Sequence, residues 1–477
     1  LDANTTASDN IAVGKSALIA NTTGTRNTAV GTSALLTTTT VNDNTAIGHD
    51  ALTANTSGFK NTAVGSGAGE GNTEGDNLVA VGYNAAENNT TADDNTAIGS
   101  QSLFTNTTGS SNTAVGTGAM YNNTTASDNI AIGSGAMSAN TTGTRNIGIG
   151  KAAYDASDTE NDNLAIGYNA MTTNTAGGTK NIAIGNYALD ALTSGDNNTA
   201  VGYDALTANT TAGNNTGIGG YALTANTTGG LNTAIGYSTL YSNTTGANNV
   251  AVGSNALDAN ITGAGNTAIG KDSLKVSLGN NNTAVGMNAL LANTTGGSNV
   301  AIGQGALDSS TTASANVAVG EGTLAAVTTA SENTAVGHTA GTVTTGRRNT
   351  FLGYRSGLAN TSGYNNTFVG SDVGLANIDG YQNVAVGERT LEANTSGDNN
   401  TAVGHMALQA NTTANDNTAI GFNAMKANTT GADNVAVGPY ALDASSTGDQ
   451  NIAIGRHALG ATTGSDNIGI GQTALYV

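Results

Sequence analysis

The sequence predicts an all-β fold of the β-solenoid (β-roll) type, built from about 28 coils with a 17-residue repeat. Three observations lead to this prediction. A glycine recurs from Gly14 to Gly471 at intervals of 17 residues, with one interval of 18 and three of 16. The residues before each glycine alternate between β-branched and small side chains, as on a strand. The rest of each repeat is rich in Asn, Thr and Gly, which form turns. A period this short and regular is typical of stacked coils.

The amino-acid composition agrees with a thin interior. Of the 477 residues only 4% are aromatic and none is Trp, whereas a thick globular core needs large side chains. The chain holds 67 Gly and one Pro, which suits a turn-rich solenoid. The repeat runs from end to end, so we predict one continuous repeat region, 1–477, without a distinct capping repeat at either end.

The charge and the absence of some residue types exclude several classes of partner. Lys and Arg total 14 against 33 Asp and Glu, a formal net charge of −19. Such a surface repels nucleic acid and anionic membranes, so neither is expected as a partner. The chain has no Cys for disulfides or thiolate metal sites. No apolar run reaches the length of a membrane span, so we expect none in this chain.

Each repeat is numbered here from the asparagine that precedes the strand, so that the recurring glycine is position 5. The predicted structural ladder is represented in residues 400–416 by Asn400, Ala402, Val403, Gly404, Ala407 and Leu408. Position 1 is Asn in every repeat except the one with Leu78. We predict that these asparagines form a hydrogen-bonded ladder at a corner of the coil.

The two faces of the predicted strand carry different side chains. Positions 2 and 4 are β-branched in nearly every repeat, and we expect position 4, for example Ile302, to fill the interior. Position 3 is mostly Ala, for example Ala251, where a solvated face would be polar. We therefore predict that positions 3 and 5 form a seam between chains wrapped side by side. Position 9, usually Leu, is expected to anchor a second short strand or bend.

The NTAVG run resembles the head repeats of trimeric autotransporter adhesins, whose motif is roughly Asn-Ser-Val-Ala-Ile-Gly-x-x-Ser. The match here is carried by Asn129, Ile130, Ala131, Ile132 and Gly133, with Ala136 at the final small position. The resemblance implies a homotrimer of parallel β-rolls, intertwined or side by side, with small residues where chains meet. The unit also looks like the shaft repeats of phage tail fibres, particularly in residues 349–359. The adhesin motif has a shorter period than this repeat.

No set of side chains in the sequence has the spacing of a catalytic centre, so we expect no enzyme activity, cofactor or metal. The four histidines are His49, His338, His405 and His457, and the closest pair lies three repeats apart. Acidic residues recur before position 1, and Asp416 and Asp433 in adjacent coils allow a shared Ca²⁺. We favour solvated turn caps for these carboxylates.

Residues 339–394 depart from the repeat pattern. Position 3 becomes Phe351 and Phe368, and position 9 of the same coils becomes Gly357 and Gly374. This pattern predicts an exchange of volume within the core. The segment also concentrates arginine and tyrosine, which defines a possible surface binding patch of Arg347, Arg348, Tyr354, Arg355, Tyr364, Tyr381 and Arg389.

The sequence therefore predicts a structural extracellular fibre or adhesin shaft that assembles with itself, as a homotrimer and end to end as a filament. Its expected location is the cell surface or a virion fibre. The alternatives are a phage tail-fibre shaft and a module that binds host-surface or matrix glycans, or a receptor, through residues 339–394. An ice-binding face on the Thr columns and a β-helical polysaccharide lyase fit the pattern less well.

Overall fold

The computed structural model describes residues 2–174 and 177–476. Within these ranges every regular element is a strand of three residues that covers positions 2 to 4 of a repeat. The chain divides into two compact units, Leu1–Ser238 with Ser242–Thr245 and Thr239–Tyr241 with Gly246–Val477. Each unit contains 14 of the 28 strands.

The strands of the first unit are β1 Ile11–Val13, β2 Thr28–Val30, β3 Thr45–Ile47, β4 Thr62–Val64, β5 Val79–Val81, β6 Thr96–Ile98, β7 Thr113–Val115, β8 Ile130–Ile132, β9 Ile147–Ile149, β10 Leu164–Ile166, β11 Ile182–Ile184, β12 Thr199–Val201, β13 Thr216–Ile218 and β14 Thr233–Ile235. The strands of the second unit are β15 Val250–Val252, β16 Thr267–Ile269, β17 Thr283–Val285, β18 Val300–Ile302, β19 Val317–Val319, β20 Thr334–Val336, β21 Thr350–Leu352, β22 Thr367–Val369, β23 Val384–Val386, β24 Thr401–Val403, β25 Thr418–Ile420, β26 Val435–Val437, β27 Ile452–Ile454 and β28 Ile468–Ile470.

Within each unit, every strand pairs in parallel with the strand of the next coil, and like positions stand side by side. In β24 and β25, for instance, Ala402 lies beside Ala419 and Val403 beside Ile420. The same register holds between β1 and β2 in the first unit. Both units are thus parallel β-solenoids with a 17-residue repeat, and the predicted fold class is confirmed.

The assignment of the two strand faces from the sequence was wrong. Ala251 at position 3 is fully buried by its own chain, whereas Ile302 at position 4 is 40% exposed. The alanine column faces the interior of the coil, and the β-branched columns at positions 2 and 4 face outward. Position 3 is therefore not a seam between chains, and position 4 is not the interior.

The interior is thin because the return half of each coil lies close behind the strand. Ala402 shares the interior with Ala407 and Leu408, and all three are fully buried. Leu408 has a left-handed backbone, with φ of 51°, and the leucines at this position in other coils do the same. This conformation turns the side chain inward without a second strand, and none is present there among the described residues. Of the two forms predicted for position 9, the structure contains the bend.

The glycine at position 5 is required by the backbone and by the stacking of coils. Gly404 has φ of 129°, which side-chain-bearing residues rarely adopt. A Cβ there would lie 2.6 Å from the carbonyl oxygen of Gly421 in the next coil. The glycine column therefore allows the chain to leave the strand and the next coil to stack closely on it.

The predicted asparagine ladder at position 1 is present. The Asn400 Oδ1 accepts the backbone N–H of Asn417 in the next coil at 3.1 Å. Its Nδ2 donates to the backbone carbonyl of Ala414 in its own coil at 2.9 Å. Both asparagines are buried, so each side chain satisfies two backbone groups that water does not reach.

A second buried asparagine ladder lies at position 12, which the sequence indicated only as part of a turn. The Asn411 Nδ2 donates to the Oδ1 of Asn394 at 2.9 Å and to the carbonyl of Ala414 at 3.1 Å. Similar bonds join Asn89 to Asn72 in the first unit. Position 12 also accepts Thr, Ser, Leu or Val in some coils, since its side chain satisfies fewer backbone groups than position 1 does.

The predicted exchange of volume in the irregular segment is confirmed. Phe351 and Phe368 are fully buried, and their rings lie 5.6 Å apart. A Cβ on Gly357 would lie 2.5 Å from the ring of Phe351, and one on Gly374 would clash with Phe368. The phenyl rings therefore occupy the space that leucine fills in other coils.

One coil replaces parts of the interior pattern with a buried polar cluster. Tyr154 stands at position 9, Ser157 at position 12 and Glu160 at position 15, and all are buried. The Glu160 carboxylate accepts bonds from the Ser157 hydroxyl at 2.7 Å and the N–H of Thr159 at 3.1 Å and of Gly177 at 3.0 Å. Burial raises the pKa of Glu160, but these bonds outweigh burial and hold the pKa below its ordinary value.

The volume exchange predicts that one substitution compensates for another. Phe351→Ala should destabilise its coil by about 3–5 kcal/mol through the cavity it leaves. Adding Gly357→Leu restores the Ala and Leu of an ordinary coil, so the double variant should recover part of that loss. The space that the Phe351 ring fills beside Gly341 of the preceding coil stays empty. Gly357→Leu alone should be destabilising because its side chain overlaps Phe351. Urea unfolding of the three variants checks this, and an additive double variant would contradict the exchange.

The buried glutamate predicts a pH-dependent loss of stability. Glu160→Gln should lower Tm at pH 7, because the ionised carboxylate is what the surrounding donors bind. The folded pKa of Glu160 is lowered, so its stabilisation is complete above the ordinary value of 4.5. It is lost as the pH falls through the lower folded pKa. The Tm difference from wild type should therefore shrink toward acid pH in calorimetry.

The matched control for this measurement is Glu74→Gln, which changes an exposed turn carboxylate. Its Tm should follow wild type closely across the pH range. A Tm difference for Glu160→Gln that stays constant from pH 7 to acid would show that the carboxylate charge contributes nothing.

Candidate binding surfaces

The outer sheet face comprises the side chains at positions 2 and 4 of the strands. At position 4 every residue is Val or Ile except Leu352, and position 2 is Thr, Ile or Val except Leu164. Ile47 and Ile98 in the first unit are 41% and 40% exposed, and Ile420 in the second is 40% exposed. Each unit thus presents two continuous columns of half-exposed, β-branched side chains.

Such a face is unusual for a parallel sheet. Parallel sheets occur almost only where both faces are covered, and their strands are then apolar on both sides. Here the inner face is covered by the coil itself, while the outer face carries Val or Ile at position 4 and often Thr at position 2. A contiguous apolar surface of this kind indicates an interaction site.

Two margins border the outer sheet face, and the predicted Arg/Tyr patch is divided between them. Positions 16 and 17 precede the strand and form the first margin, while positions 6 and 7 follow it and form the second. The first margin holds Arg347, Arg348, Tyr364 and Tyr381. The second margin holds Tyr354, Arg355 and Arg389. The seven residues therefore do not make one continuous patch.

The first margin contains a surface cleft of about 380 Å³ in the second unit. Its lining residues are Thr329, Ala330, Ser331, Thr345, Gly346, Arg347, Ser362 and Tyr364. The cleft lies where one repeat is 16 residues long, so its turn is a residue shorter than those beside it. The Tyr364 ring is stacked on that of Tyr381, 4.9 Å apart and nearly parallel.

Three of the four arginines of the patch are paired with carboxylates. Arg348 contacts Glu332 at 2.6 Å, Arg355 contacts Asp372 at 3.2 Å and Arg389 contacts Glu392 at 3.1 Å. Arg347 is exposed, and no carboxylate of the described residues lies within ion-pair distance of it. Of the predicted patch, the cleft with Arg347, Tyr364 and Tyr381 is the part best arranged for a ligand.

The second margin holds a row of aromatic rings that the sequence analysis missed. In five consecutive coils of the first unit, tyrosine alternates between positions 6 and 7, at Tyr168, Tyr187, Tyr203, Tyr221 and Tyr237. Each ring meets the next edge to face, with centroids 5.4 to 5.9 Å apart. We call this row the tyrosine ladder. Because the tyrosines alternate between positions 6 and 7, neither position alone shows a regular tyrosine column. Comparing positions 6 and 7 together reveals the ladder in the sequence.

The histidines lie in the same margin, and three of them, His338, His405 and His457, stack on other rings. His405 is stacked on Phe422 at 5.4 Å, and His457 on Tyr440 at 4.8 Å. Asp416 and Asp433 are exposed and have left-handed backbones. Among the described residues no group of three or more His, Asp or Glu side chains is placed to hold a metal ion.

In residues 2–174 and 177–476, no helix has the length and apolar character that crossing a bilayer requires. No model of a known protein family matches the chain, and no curated protein matches its sequence. The resemblance to adhesin head repeats and to tail-fibre shafts is therefore carried by the repeat motif alone, and membership of either family remains a prediction.

Proposed function

We propose that this chain is a structural shaft protein, non-enzymatic and extracellular, whose copies associate through the outer sheet face. The observation that carries the proposal is the column of Val and Ile at position 4, which points to solvent from a parallel sheet. Covering this face with neighbouring copies would remove both β-branched columns from water. Burial of apolar surface is the main force that stabilises such associations.

The size of the face supports stable association. A three-residue strand is about 10 Å wide, and the 14 strands of one unit stack to about 67 Å. Each unit therefore offers about 670 Å², or about 1,340 Å² counted on both partners. This lies within the range of about 1,200–2,000 Å² that specific protein interfaces bury.

The number of copies and the location rest on the resemblance. Trimeric autotransporter heads, which the NTAVG unit resembles, place three parallel rolls together, so we propose a homotrimer at a cell surface. The alternative is that the chain is part of a phage tail-fibre shaft, which would have the same architecture on a virion. The contact surface differs from the one that the motif implies, because here the small residues at position 3 lie inside the coil.

A second candidate function is binding of a carbohydrate or receptor through residues 339–394. The cleft favours it, since Arg347 and Tyr364 both line the cleft and the Tyr364 ring is held by stacking on Tyr381. If this second function is correct, Arg347→Ala should abolish binding of the carbohydrate or receptor. Arg389→Ala should retain it, because Arg389 lies on the other margin.

The self-association proposal predicts the effect of charge on the outer sheet face. The triple variant Ile302→Asp, Val403→Asp and Ile420→Asp places three carboxylates in one exposed column, where assembly would bury them unpaired. Wild type should have the mass of three chains by light scattering. The triple variant should have the mass of one chain and keep its β circular dichroism.

The matched control changes an exposed position in the same three coils. Thr312→Asp, Thr413→Asp and Thr430→Asp add the same charge at position 14, on the turn, and the assembly should persist. A monomeric wild type, or equal dissociation of both triple variants, would contradict association through the outer sheet face. Hydrolysis of a polysaccharide by the purified chain would contradict the non-enzymatic role.

A further inference from the structure

The tyrosine ladder on the second margin has a geometry that packing within the coil does not require. Its rings project outward at positions 6 and 7, and Tyr168, Tyr203 and Tyr237 at position 6 are 40%, 47% and 58% exposed. Tyr187 and Tyr221 at position 7 stand between them, roughly perpendicular, and are less exposed. The position-7 rings therefore brace the position-6 rings in fixed orientations.

Repetition along the coil axis makes the ladder a linear platform. The three exposed rings recur every second coil, so they are spaced by about 9–10 Å. This is comparable to the length of a disaccharide unit in an extended glycan. A ligand that contacts all three rings must be extended and must itself repeat at a similar distance.

The polar groups beside the rings select a ligand rich in hydroxyls. The Asp204 carboxylate lies next to the Tyr203 hydroxyl and raises the pKa of that tyrosine. Burial, and then the neighbouring charge of Asp190, raise the pKa of Asp204 itself. Carboxylates and tyrosine hydroxyls accept hydrogen bonds from sugar hydroxyls, while the flat rings pack on the C–H faces of pyranose rings.

The charge at the ladder excludes polyanions. Lys151, 5.9 Å from the Tyr168 ring, is the cation found at one end. The carboxylates of Asp190 and Asp204 and the net charge of −19 oppose nucleic acids and acidic polysaccharides. A proline-rich peptide also packs on tyrosines, but its backbone carbonyls require hydrogen-bond donors from the protein. The carboxylates of Asp190 and Asp204 beside the ladder are acceptors, which disfavours such a peptide.

We propose that the tyrosine ladder binds an extended, neutral polysaccharide that lies along the stacked coils. The platform consists of the rings of Tyr168, Tyr203 and Tyr237, held by Tyr187 and Tyr221 and flanked by Asp204. This site is separate from the cleft at Arg347 and from the outer sheet face, so it does not depend on the chain forming a shaft.

Affinity electrophoresis of the full chain tests the site. The gels contain, in turn, a soluble β-glucan, glycol chitin, xylan, galactomannan, starch and dextran. Wild type should be retarded by at least one of these polymers. The variant Tyr168→Ala with Tyr203→Ala should bind that polymer roughly tenfold more weakly or worse, since two stacking rings are lost. Tyr168→Phe with Tyr203→Phe keeps the rings and should retain most of the binding.

The matched control is Tyr83→Ala, which removes a lone tyrosine at position 6 that is 57% exposed and belongs to the same unit. It should bind the polysaccharide like wild type. Circular dichroism and light scattering of every variant separate loss of the site from loss of fold or of assembly.

Three results would overturn the proposal. They are no retardation of wild type by any of the polymers, equal weakening by Tyr83→Ala, or ladder-dependent binding of poly-L-proline where no polysaccharide binds. If the chain is monomeric but still binds the polysaccharide, the proposed self-associating shaft is contradicted and the proposed polysaccharide site is supported.

Discussion

The buried asparagine at position 1 is the group on which the stacking of coils depends. Where the chain enters each strand, the backbone N–H of position 1 and the carbonyl of position 15 both point into a region without water. The Asn400 side chain satisfies one such N–H in the next coil and one carbonyl in its own. A buried polar group without a partner costs about 1–3 kcal/mol, and the pattern repeats in nearly every coil. This explains why position 1 is almost invariant while position 12 is not.

With the corner fixed in this way, the side-chain directions on the strand follow. Because position 1 faces inward and side chains alternate along a strand, position 3 also faces inward and positions 2 and 4 face outward. Only a small residue fits at position 3, because the bend with Leu408 lies directly behind it. Where phenylalanine replaces alanine, as at Phe351, glycine must replace the leucine. The outward β-branched columns are thus a consequence of the inward asparagines.

Much of this architecture could be predicted from the sequence. The repeat length, the strands, the position-1 ladder and the exchange at Phe351 all follow from the order of residue types. The sequence could not show which strand face points into the coil. Both faces carry small or β-branched side chains, and the residue pattern does not reveal which face is covered by the return half of the same coil. The ladder at position 12 was hidden because Asn411 stands in a run typical of exposed turns. The tyrosine ladder was hidden because its rings alternate between two positions.

The most direct test of this account compares the two asparagine columns by hydrogen exchange resolved to single amides. In Asn400→Ala the N–H of Asn417 loses its acceptor, so its exchange should accelerate roughly tenfold or more. The effect should remain within a few coils, because each coil contacts only its neighbours. Asn411→Ala removes two bonds between side chains, to Asn394 and from Asn428, and one to a carbonyl, and the Asn417 amide should stay protected. Equal loss of protection in both variants, or none at Asn417 in Asn400→Ala, would contradict the account.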